Sequence, residues 1–113
     1  MRWLLAACLL AWATAAPAVP QLKTYSGEEA AALRCANTLA LTAVTLAQNG
    51  LIKDIEKEVL LQVTVMILDR HVSGRWWQKK AALAVVRDRR DVDETLEDYQ
   101  RYAQQCLRQF PIN

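Results

Sequence analysis

The residues with the most chemical potential in this chain are three cysteines, Cys8, Cys35 and Cys106, and one histidine, His71. Thiols do redox chemistry best as a close pair in one short loop, where the nucleophilic sulfur is exposed and its pKa depressed. Cys35 and Cys106 have the opposite arrangement. They lie far apart, and each falls on an apolar helical stripe, Cys35 with Leu39 and Leu46, Cys106 with Ala103 and Phe110. Two distant cysteines in an exported chain predict a structural disulfide. Such a bridge would close a loop of about 70 residues, worth about 4 kcal/mol in the chain-entropy model.

A triad built on His71 would need a serine and an acid whose partnership the sequence does not show. The sequence contains no G-x-S-x-G turn, the strand-to-helix elbow that exposes a serine nucleophile. It also lacks C-x-x-C, H-x-x-x-H, C-x-x-C-H and a pair of Glu-x-x-His motifs, so no metal or haem is expected. Three glycines are too few to build a phosphate-cradling loop. A histidine near a helix end is accounted for by the C-terminal dipole. The chain is therefore read as non-catalytic, with no cofactor.

Charge is more informative. Arg70, Arg75, Lys79, Lys80, Arg87, Arg89 and Arg90 stand against Asp88 alone, a net +6 over Arg70–Arg90, and Asp91, Asp93, Glu94, Glu97 and Asp98 follow directly. Trp76 and Trp77 lie within the basic part. Adjacent helical residues point about 100° apart, so both indoles cannot share one core stripe. Trp77, aligned with Ala81 and Ala84, is expected against a close helix neighbour, and Trp76 at the rim beside Lys80. Arg75, Trp76, Lys79 and Lys80 form the candidate binding patch, for a protein or an anionic envelope component. The structural alternative is that the basic segment pairs with the acidic start of the next helix. Nucleic acid is not expected, because the formal charge of the whole chain is only +2 and polyanion binding needs a dense basic field.

The elements that must position these residues follow from boundary signals. Residues 1–18, MRWLLAACLLAWATAAPA, combine one arginine, a short apolar run and small residues at signal-peptidase spacing. They are expected to be a secretory signal cleaved between residues 15 and 18. "LAAC" at Leu5–Cys8 has the letters of a lipoprotein box, but its position within the apolar run argues against lipidation. Residues 19–25 read as an extended arm, and residues 26–113 as a single helical domain with no membrane span. A secreted or periplasmic location follows.

Ser26 and Glu29 have capping-box spacing, and Asn49-Gly50 is a stop signal, which predicts helix 1 over residues 27–48. Ile52, Ile55, Val59, Val63 and Met66 form a helical stripe over residues 51–72, although the β-branched run "VLLQVTVMIL" leaves a buried strand as the competing reading. Helix 3 is expected over residues 75–88. Asp91 and Glu94 open helix 4 at about Val92, and Pro111 forbids much continuation. Short connections predict an all-α fold, a small antiparallel four-helix bundle with one disulfide joining helix 1 and helix 4.

At the level of architecture the chain is similar to small exported helical proteins with one bridging disulfide, among them acid-activated periplasmic chaperones. Two functions are thus expected: a non-catalytic interaction protein of the envelope or secreted space, or a stress chaperone that loosens in acid and exposes faces such as Val59–Leu68. An enzyme is a third, weaker reading.

Overall fold

The computed structural model describes residues 22–113; the expected signal segment, Cys8 and the start of the arm lie outside the described residues. Four helices follow one another: α1 (Gly27–Gln48), α2 (Asp54–His71), α3 (Trp76–Arg89) and α4 (Val92–Gln109). The fold is the expected all-α bundle, and α2 is helical rather than a strand along its whole length.

Alanine and leucine, both strong helix formers, fill α1, and its end is a Schellman turn. The Leu51 N–H reaches the Leu46 carbonyl (2.9 Å) and the Gly50 N–H reaches Ala47 (3.1 Å), with Gly50 at φ +69°. This left-handed position favours glycine. The turn consumes Leu51 and Ile52, so α2 starts at Asp54 rather than at residue 51. There the Glu56 carboxylate accepts the Lys53 N–H at 3.3 Å, satisfying a backbone donor that the helix leaves orphaned.

Helix α1 is the axis on which α2, α3 and α4 all pack, with far less contact among those three. Its apolar composition and length would suffice to cross a membrane, yet half of its most apolar window is buried against its neighbours, as for a core helix. The core joins Ala32, Leu33, Cys35, Ala36 and Leu39 of α1 to Ile67, Leu68 and Val72 from α2 and its end, and to Phe110 after α4. Ala82, Leu83 and Val86 of α3 and Tyr99 of α4 pack against it. These residues gather around the first half of α1 and the second half of α2, the shared end of an antiparallel hairpin.

The stripe expected on α2 is only partly buried. Val63 packs against the core and Ile52 is half-buried, but Ile55, Val59 and Met66 are exposed, whereas Thr64, Ile67 and Leu68 are buried. Two apolar stripes run along this helix, and the presence of only one large helix neighbour decides that one of them stays in solvent.

Candidate functional site

The disulfide forms as expected. Cys35 in α1 and Cys106 in α4 are bridged across a sequence separation of 71, with Cα atoms 5.6 Å apart, within the range such bridges require. Both sulfurs are thereby committed to a covalent link between the central helix and the last one.

His71, at the end of α2, lies against the chain's C-terminal tail. Its Nε2 is 2.7 Å from the Pro111 carbonyl oxygen, to which it donates, and its ring meets Phe110 edge-on at 5.4 Å between centroids. The imidazole thus fastens the tail to the end of α2. Among the described residues no three His, Cys, Asp or Glu side chains cluster in a way that could hold a metal ion.

The corner between α2 and α3 is the most densely cross-linked part of the molecule. Ser73 is its hub. The Ser73 N–H donates to Glu29 Oε2 at 2.6 Å, its carbonyl accepts from Tyr25 Oη at 2.6 Å, and its hydroxyl accepts from Lys23 Nζ. The expected capping box of α1 does not form, because Ser26 makes no side-chain cap and Glu29 turns to the far end of α2 instead. The Ser73 bonds hold the Glu29 carboxyl below its ordinary pKa, helped by the nearby Lys23 and Lys79 charges. Tyr25 is pushed above the ordinary phenol value by burial and by the Glu29 charge. Its hydroxyl therefore remains a donor at neutral pH. The segment expected as an extended arm is tied to this corner through Lys23 and Tyr25.

This anchored corner presents the start of α3. Arg75 is the N-cap residue, its backbone N–H held by Gln78 Oε1 at 2.8 Å. Trp76 and Trp77 follow at 48% and 44% exposure. The expectation for Trp76 at the rim agrees with its position, whereas Trp77 is not tucked against a neighbour. Helix α3 touches mainly α1 among the described residues; on the arc of Trp77, the small Ala81 and Ala84 are half-buried while the indole itself stays exposed. Lys80 is exposed, but Lys79 is 92% covered, with Nζ 3.5 Å from the Asp69 carbonyl oxygen. Of the four patch residues expected from the sequence, Arg75, Trp76 and Lys80 therefore present themselves to solvent, and Lys79 supports the α2–α3 corner from within.

Neighbouring charges sort the same way. Arg90 turns to the acidic start of α4, pairing with Asp98 and at 3.7 Å with Glu94, and Arg87 pairs with adjacent Asp88. Pairing with the acidic segment thus removes Arg90 from the basic surface. Arg70, Arg75, Lys80 and Arg89 make no ion pair among the described residues. Sequence reasoning missed Trp77 as a surface residue and Glu29, Tyr25 and Ser73 as its support. The adjacency of two tryptophans in a helix was the one available signal for the former.

Two clefts flank α1. One, of about 380 Å³, runs along the disulfide between α1 and α4 and is lined by Arg34, Asp98 and Tyr102 among others. The second, of about 480 Å³, lies between residues 22–25, α1 and α3 and is lined by Leu22, Tyr25, Leu33, Val85 and Val86. Trp76, Trp77 and Lys80 line neither; they are exposed outside both clefts. No family model matches this chain, and neither a curated protein nor a solved structure matches it significantly.

Proposed function

We propose that this is a small exported interaction protein without catalytic activity, which engages an anionic partner through the α2–α3 corner. One observation carries the reading: two adjacent tryptophans, both nearly half exposed, flanked by Arg75 and Lys80, which have no carboxylate partners among the described residues. Exposed indoles cost solvation free energy unless something covers them, and aromatic residues with arginine dominate the energetics of interfaces. The Cys35–Cys106 bridge supports a location outside the reducing cytosol.

Affinity capture from envelope extract tests the reading. The Arg75→Glu/Lys80→Glu variant should retain less than about a tenth of the wild-type bound material, because charge reversal at a steering surface both slows encounter and introduces repulsion. Equal recovery with both proteins would remove the proposed surface.

A second reading, the acid-opened chaperone, is supported by the Glu29 carboxylate that fastens the α2–α3 corner to α1. Protonation weakens that tie, and self-repulsion of the resulting polycation favours opening. A dye for apolar surface, followed down to about pH 2, should then brighten; an unchanged signal would dismiss it.

A further inference from the structure

The partner class can be named from the shape and composition of the exposed face, on the footing that the α2–α3 corner is the binding surface. With 100° between successive residues, Trp76, Trp77, Lys80, Ala84 and Arg87 fall within one arc of about 100° along α3. The adjoining arc, which begins beside Trp76, holds buried Lys79 and the core-packed Ala82, Leu83 and Val86. Arg75 precedes this face, and Arg70 at the end of α2 is exposed and unpaired among the described residues. The acidic residue bordering the arc, Asp88, is already paired with Arg87 at 3.2 Å.

We infer that this face binds the surface of an anionic lipid bilayer, with the two indoles at headgroup depth and Arg70, Arg75 and Lys80 over the negative charge. Three features favour a bilayer over an acidic protein or polymer. Neither of the two clefts that flank α1 includes its residues, so neither cleft makes them the wall of a groove for a peptide or sugar chain. Its indoles start from positions about 100° apart around the helix axis instead of sharing one stripe, which suits a broad, soft partner. A bilayer also stacks an anionic layer directly over an apolar one, the order in which tryptophan and basic side chains are satisfied together. A hydrophilic polyanion satisfies the cations and leaves the indoles in water. Ala81 and Ala84 are small enough to let the helix lie close to the surface.

The experiment is cosedimentation of the disulfide-bonded protein, expressed from the full-length sequence, with vesicles of phosphatidylcholine alone and of phosphatidylcholine containing phosphatidylglycerol. Wild type and variants carry the same N-terminus, whatever processing leaves. Binding should require the anionic lipid and weaken as salt shortens the screening length. Each basic residue near such a surface is worth about a factor of five, so Lys80→Glu should weaken binding by more than about tenfold. Trp76→Ala/Trp77→Ala should weaken it by at least about tenfold while leaving the salt dependence in place. Lys80→Glu lies on an exposed helical turn and keeps the test valid should the tryptophan variant misfold, which circular dichroism reports. Equal binding to both vesicle types, or binding indifferent to both variants, overturns the lipid assignment. If vesicles fail but envelope capture still depends on Arg75 and Lys80, the interaction surface stands and its partner is a protein or polymer. If both assays ignore the variants, the surface itself falls.

Discussion

Gly74 shows how narrowly one residue supports the candidate surface. It holds φ at +98°, and a Cβ there would lie 2.8 Å from Gln78 Oε1 and 2.9 Å from Tyr25 Oη. Those two atoms cap α3 and tie residues 22–25 to Ser73, so neither can move without releasing a bond. Gly74→Ala therefore combines left-handed strain with two displaced hydrogen bonds. We expect a loss of about 1–3 kcal/mol, seen as a melting temperature lower by roughly 4–20 °C. A melt unchanged within 2 °C would mean that the corner is softer than its contacts imply. Gly50, which also has positive φ, has open space around its missing Cβ, and there only the strain applies.

At the scale of elements, the hairpin of α1 and α2 is closed at its shared end by a charge. Glu29 in the first turn of α1 accepts from the Ser73 backbone just beyond α2, and its carboxyl is held below its ordinary pKa chiefly by that bond. A carboxylate whose pKa is lower folded than unfolded stabilises fully above the unfolded value, about 4.3, and loses that contribution as pH falls through the folded value. The melting temperature should thus fall as the pH drops from about 5 toward 3. Glu29→Gln should melt lower at neutral pH and show a shallower fall across that window. Identical pH profiles for wild type and variant would show that other carboxylates control the acid response. The same hairpin explains the second apolar stripe of α2: Ile55 and Val59 lie on a helix flanked chiefly by α1, and one neighbour covers only one face.

The whole molecule depends on α1, because the other three helices pack on it rather than on each other. In such an arrangement a link from the last helix to the axis matters more than in a bundle with mutual contacts. The Cys35–Cys106 bridge closes a loop with a separation of 71 residues, for which the chain-entropy model expects about 4 kcal/mol. This is a large share of the roughly 5–15 kcal/mol that holds an ordinary domain folded. Cys35→Ala/Cys106→Ala should unfold at a clearly lower denaturant midpoint, and α4 should be the first helix to lose amide-exchange protection. A midpoint matching the oxidised wild type would assign the stability to packing alone.

The sequence by itself determined the four helices, the partnership of the two cysteines and the basic-aromatic segment. Each rests on residue types and spacing: helix formers between stop signals, an Asn-Gly turn, and the two distant thiols that remain once the expected signal segment with Cys8 is set aside. The three-dimensional arrangement decided which faces are used. On α2 two apolar stripes compete at the same helical period, and only the position of α1 buries Ile67 and Leu68 while leaving Val59 and Met66 in water. On α3, spacing sets Lys79 and Lys80 about 100° apart, and packing decides that the side carrying Lys79 turns into the α2–α3 corner and Lys80 outward. Glu29 looked like a local cap and became a tertiary fastener, because a carboxylate binds whichever backbone donor the fold brings nearest. Periodicity constrains where side chains point around their own axis. What stands opposite them is set by how the helices pack together.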